Sequence, residues 1–222
     1  MIVCVHHTLS AASRALRLEM AEKALDFDLV SEAPWLRRVE FLRLNPAGEV
    51  PLLAEDGRVL AAGAWAAMEY VEETAPEPAL LGTEPPVRAE VRRLTSWFLV
   101  KFEAEVGAPL VGEKLTKRVA GGGPPSSRAI AAGRRNIGVH LDYIAWLIDR
   151  RRWLAGEFVS LADLAAAAAL SLVDYADEVP WDKHPAAKDW YARVKSRPSF
   201  RPILAERLPG IAPSAAYADL DF

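Results

Sequence analysis

The chain has 222 residues, about half of them hydrophobic, and a formal net charge of −3. That balance suits a globular protein with a sizeable core and argues against a general nucleic-acid binder, whose surface would be basic. A single cysteine, Cys4, excludes an intramolecular disulfide, and one thiol with four scattered histidines gives no support to a metal site.

In chain order, the apolar run from Ile2 to Val5 suits a buried strand, with Cys4 inside it as a core residue rather than a reactive thiol. No basic segment followed by an apolar stretch marks a secretory signal, so a cytoplasmic protein is expected. Ser10 and Ser13, followed by Leu16, Met20 and Leu25, predict a helix over about 13–24, and 27–30 alternates like a second strand. Residues 34–44 mix Trp35, Leu36, Phe41 and Leu42 with Arg37, Arg38, Glu40 and Arg43, the pattern of a loop carrying a short helix. Apolar runs at 51–54 and 58–61 flank Asp56-Gly57, which predicts a hairpin, and a helix is expected over 64–74.

Pro76, Pro78, Gly82, Pro85 and Pro86 punctuate a linker, which sets a first domain at 1–76, a linker at 77–86 and a second domain at 87–222. The second domain reads as helical throughout. Val87, Val91, Leu94, Phe98 and Phe102 share one helical face, and Gly121, Gly122, Gly123, Pro124 and Pro125 break the chain. Ser126 or Ser127 can cap the next helix, which carries Ile137, Leu141, Ile144 and Ile148. Further helices are expected over 160–175, over 185–196 and briefly after Pro198. The run 164–173 is apolar but too short to span a bilayer, so no membrane insertion is expected. Ser160-Leu161-Ala162-Asp163 has the spacing of a capping box, with Val159 and Leu164 placed for a hydrophobic staple; its role is structural. The tail over 209–222 alternates apolar and acidic residues, so it either packs back on its own domain, the preferred reading, or offers Leu220 and Phe222 to a partner.

The Asn45-Pro46 turn, the Val50-Pro51 step and the hairpin together resemble the glutathione-binding half of a glutathione S-transferase. The predicted β-α-β-α-β-β-α order is that family's thioredoxin-like domain, and the Ser-x-Ala-Asp box resembles its helical domain. The resemblance implies an α/β thioredoxin-like N-terminal domain, an all-α C-terminal domain, and a cis bond before Pro51. In the family an acidic-Ser pair opens the helix after the hairpin and holds the γ-glutamyl end of glutathione. Here that place offers only Ala62, Gly63 and Ala64, so Val50, Pro51, Gly63 and Ala64 read as the remnant of a glutathione site. Glutathione is not expected as a cofactor, and no catalytic residue is assigned. The alternative is a working transferase in which Ser10 or Ser13 supports the thiolate, against the preferred reading that one of them caps the first helix.

Within the family, 153–204 and the ending YADLDF resemble a bacterial group of transferase-like cell-division proteins. That narrower resemblance implies a non-enzymatic homodimer at the division site that binds FtsZ filaments, alters their curvature and supports constriction. A second division protein is a further partner it allows. Partner-facing residues are placed at Trp35, Lys114, Arg118, Asp219, Leu220 and Phe222. The basic residues around Lys114, Lys117 and Arg118, at Arg134 and Arg135, and at Arg150 to Arg152 read as solvated faces or as a patch for an acidic protein partner, since no nucleic-acid motif accompanies them.

Overall fold

In the computed structural model, which describes residues 1–220, the apolar opening run forms β1 (Ile2–His6) at the middle of a four-stranded sheet. β1 pairs in parallel with β2 (Phe27–Ser31) and antiparallel with β3 (Leu52–Glu55), which pairs antiparallel with β4 (Arg58–Ala62), giving the order β2-β1-β3-β4. Successive strand residues face opposite ways, so the sheet has two interiors. Cys4 and Leu53 join the main core beneath α1 (Ala11–Glu22) and α3 (Ala64–Thr74), while Val5 and Leu52 meet Phe41 of the short α2 (Val39–Leu44). Burial pushes the Cys4 thiol up to about 12, so it is an inert core residue. Asp56 and Gly57 have φ of 49° and 80°, the two positive values that a two-residue hairpin turn requires.

α1 begins two residues earlier than its apolar spacing suggests, because Ser10 caps it: Ser10 Oγ accepts the Ser13 amide at 3.1 Å. The Pro-rich connection is pinned rather than free. Leu80 and Leu81 are buried, Leu80 O accepts the Leu161 amide at 2.9 Å, and the Leu81 amide donates to Glu72 at 3.0 Å. Pro85, inside the stretch expected as linker, already opens α4 (Pro85–Ser96), where its missing N–H costs nothing.

α4 continues without a break through wider π-helical turns, Trp97–Lys101 and Glu103–Thr116, into α5 (Lys117–Ala120). The amides of Phe102 and Lys117 donate five residues back, to Trp97 and Gly112. Val91, Leu94, Phe98 and Phe102 are buried as their spacing requires, while Val87, in the first turn, stays exposed. Gly121 stops the run in the left-handed conformation. Ser126 caps α6 (Ser127–Ile148), its Oγ accepting the Ala129 amide. α7 (Leu161–Tyr175) is buried along its whole length, and its alanines let neighbouring helices approach from every side. Around it lie α1, α4 and α8 (Pro185–Lys195), and α9 (Arg201–Leu204) follows a tight turn at Pro198–Phe200. Among the described residues no helix is long and apolar enough to cross a membrane, and no group of His, Cys, Asp or Glu could hold a metal ion.

The α7 N-terminus is closed by a capping box: Asp163 Oδ2 accepts the Ser160 amide and hydroxyl, each at 3.0 Å. Asp163 Oδ1 also accepts the Leu154 amide and Trp190 Nε1–H, each at 3.0 Å, so one carboxylate ties together a loop and two helices. Glu206, just after α9, ties that segment to α1 by accepting from Arg14 at 3.0 Å and Arg17 at 2.5 Å, both buried, while Arg14 crosses to α7 through Ser171 Oγ at 2.7 Å. The tail packs back. Tyr217 is fully buried, donates to Ile203 O at 2.8 Å and stands edge-on to Tyr175, while Lys195 Nζ donates to the carbonyls of Ala216 and Asp219.

Glu19 of α1 has no exposed surface, and neither of its carboxylate oxygens has a hydrogen-bond partner among the described residues. Burial, reinforced by the nearby Glu72, holds its proton far above the usual carboxylate range, while Lys23 is engaged by Glu72 at 2.7 Å. Below the unfolded-state pKa both states are protonated and Glu19 is neutral to stability. Above it only the unfolded chain ionises, so Glu19 destabilises the fold increasingly until its folded pKa is reached. Glu19→Met is therefore expected to raise stability at pH 7 by about 1–2 kcal/mol in urea unfolding. That gain should vanish as pH falls below the carboxylate range; an equal gain at both pH values would refute the account.

Candidate functional site

A cleft of about 390 Å³ lies between the sheet domain and the long helix. The turn after β1 supplies His7, Leu9 and Ser10; the loop before α2 supplies Pro34 and Trp35; the step into β3 supplies Glu49 and Val50. Leu99, Glu103, Val111 and Thr116 close it from the helical side. Burial lowers the His7 pKa, so the imidazole is neutral; its Nδ1 accepts the Leu9 amide at 3.1 Å, leaving the proton on Nε2. Trp35 packs edge-on against this ring at 4.6 Å between centroids. His6, behind them, is pushed down to about 4, chiefly by burial and then by Arg17.

The two serines have different places. Ser10 lines the cleft while its Oγ caps α1, so the hydroxyl is already an acceptor. Ser13 has no exposed surface, and its Oγ sits under the His7 amide at 3.4 Å, away from the cleft. The Val50-Pro51 peptide is cis and Val50 faces the cleft. Gly63, the residue before α3, has φ 85° and ψ 156°, a backbone region open essentially to glycine alone. Ala64 follows as the first helical residue. Neither offers an acceptor for an ammonium or a hydroxyl for a carboxylate, so the residues here do not fit the γ-glutamyl end of glutathione.

The residues placed at a partner surface separate. Trp35 is half-buried in the cleft. Lys114 Nζ donates to Ala176 O at 2.8 Å and to Glu178 at 2.7 Å, which closes the C-terminal end of α7. Arg118 donates to Gly210 O at 2.9 Å, the Asp219 carbonyl accepts from Lys195, and Leu220 is 43 % exposed. Phe222 lies outside the described residues. The basic runs are similarly engaged, with Lys117 on Glu113, Arg134 on Glu178 and Arg151 on Glu90.

One cleft residue escaped the sequence reading. Glu103 turns its carboxylate back over Gly107, where an added Cβ would lie 2.2 Å from Oε2. It has no hydrogen-bond or ion-pair partner among the described residues, and burial raises its pKa. A glycine four residues after an acid, within a strongly helical run, is the one sequence signal for it.

The glutathione S-transferase N-terminal domain family matches residues 9–74, and the C-terminal domain family matches 123–198. The chain is 48 % identical over 220 residues to FtsZ-localized protein A of Caulobacter vibrioides, covering 98 % of this chain and 96 % of that protein. A solved structure of FzlA from C. crescentus superposes with a TM-score of 0.95 at 47 % identity, over 100 % of this chain and 99 % of that one. One described as a glutathione S-transferase from Rhodospirillum rubrum F11 superposes at 0.97 with 56 % identity over the whole of both chains. The thioredoxin-like sheet, the helical second half, the cis Val50-Pro51 step and these matches agree: the chain belongs to the glutathione S-transferase family.

Proposed function

We propose that this chain is a non-enzymatic transferase-fold protein of bacterial cell division that binds FtsZ filaments as a homodimer at the division site, changing their curvature or bundling. The observation that carries the reading is the Gly63-Ala64 opening of α3, which leaves the family's ligand without its side-chain grip. Full-length similarity to FtsZ-localized protein A supports it. A two-fold dimer would present two equal surfaces to one filament, so modest affinity per site gives firm binding. The exposed Leu220, held close to the body by the buried Tyr217, is the surface feature of the tail that such a partner, or a second division protein, would meet.

Co-sedimentation with GTP-assembled FtsZ tests this. The protein is expected to pellet with filaments and to pass through immobilised glutathione without retention. Pelleting no higher than the background without FtsZ sinks the reading. The transferase alternative has one specific support, the position of Ser10 in the cleft. It requires firm retention on glutathione together with conjugating activity that falls at least about a hundredfold in Ser10→Ala, the scale of losing one donor to a developing anion.

A further inference from the structure

The cleft of a glutathione-binding protein must accept an anion, yet this one carries the opposite character. Among the described residues its charged lining is Glu103 and, at the rim, Glu49, with no lysine or arginine. Glu103 is half-buried with no partner among the described residues. A carboxylate withdrawn from water without a counter-charge is costly unless something supplies one. Its position is also built in. Glycine inside a helix is disfavoured relative to alanine, and Gly107 gives the Glu103 carboxylate its room. The remaining wall is apolar and aromatic, with Leu9, Val50, Leu99 and Val111 around Trp35. The volume of about 390 Å³ lies in the range of small-molecule sites.

We propose that this cleft binds an organic cation, a guanidinium on an apolar stem, with Glu103 as its counter-charge and Trp35 as its aromatic wall. The planar guanidinium suits both at once, since it makes forked hydrogen bonds to carboxylates and stacks on aromatic faces. The stem then covers the aliphatic wall. This ligand class does not depend on whether FtsZ is the partner.

The test compares butylguanidinium with butylurea, which has the same shape and no charge, by following the Trp35 indole N–H resonance of the full-length protein, assigned with Trp35→Phe. Butylguanidinium is expected to shift it saturably and to bind about tenfold more tightly than butylurea, the scale of one charge-assisted pair in a partly desolvated site. Glu103→Gln should abolish that preference. Gly107→Ala, which keeps the charge but displaces the carboxylate, should weaken it several-fold. A pentapeptide amide with one central arginine distinguishes the sources: tighter binding than butylguanidinium marks a protein side chain as the ligand, weaker binding a free small molecule. Equal affinity for the two probes, a preference that survives Glu103→Gln in a folded variant, or no saturable shift with butylguanidinium would each overturn the proposal.

Discussion

Glu206→Ala is expected to lower the unfolding free energy by about 3–5 kcal/mol, because it strands two buried guanidinium groups. Arg14 and Arg17 have side chains only 2 % and 6 % exposed, and Glu206, from the segment after α9, neutralises both. Arg14 keeps Thr8 O at 2.9 Å and Ser171 Oγ at 2.7 Å, but neither carries charge. At roughly 2–4 °C per kcal/mol for a chain of this size, the melting temperature should fall by about 10 °C. Replacing all three residues with apolar ones of similar volume should cost far less than Glu206→Ala alone, since the penalty lies in unpaired charge rather than in the missing bridge. A loss below about 1 kcal/mol for Glu206→Ala in urea unfolding would show that water or another acceptor reaches the arginines.

The second large effect is expected at Asp163. Its carboxylate takes four donors with no water-facing surface, so Asp163→Ala leaves the amides of Leu154 and Ser160 and the Trp190 indole without their acceptor. At about 1–3 kcal/mol for each buried donor left unpaired, with partial relaxation, a loss of about 3–5 kcal/mol follows. Asp163→Asn should rescue little, because its amide NH2 replaces an oxygen that accepts two donors. Ser160→Ala removes one capping partner and should cost only about 1 kcal/mol. Urea unfolding of the three variants reads the order directly; an Asn variant as stable as wild type would mean that the carboxyl is already held as a donor.

The hairpin and the capping box were legible because their causes lie within a few residues: two positive φ values at Asp56-Gly57, and a carboxylate three positions after Ser160. Part of the cleft was legible too, through Ser10 and the Val50-Pro51 step. The rest was not, because Glu103 comes to line one cleft with His7 and Trp35 only when the long helix lies against the sheet domain. Lys114 shows the same limit. Its neighbours in sequence make it look like part of a basic face, and its actual partner, Glu178, is more than sixty residues away.

By itself, the chain's order of residues determined the transferase-type architecture, the Ala62-Gly63-Ala64 opening of α3 and the ends of most helices, which follow from short-range spacing and backbone preference. Only the tertiary structure decided which charges are spent internally, that Tyr217 turns the tail inward, and that Glu103 and Glu49 are the charged residues lining the cleft between the sheet domain and the long helix. The physical reason is that charge pairing and burial depend on distance through space, which packing sets and local sequence does not.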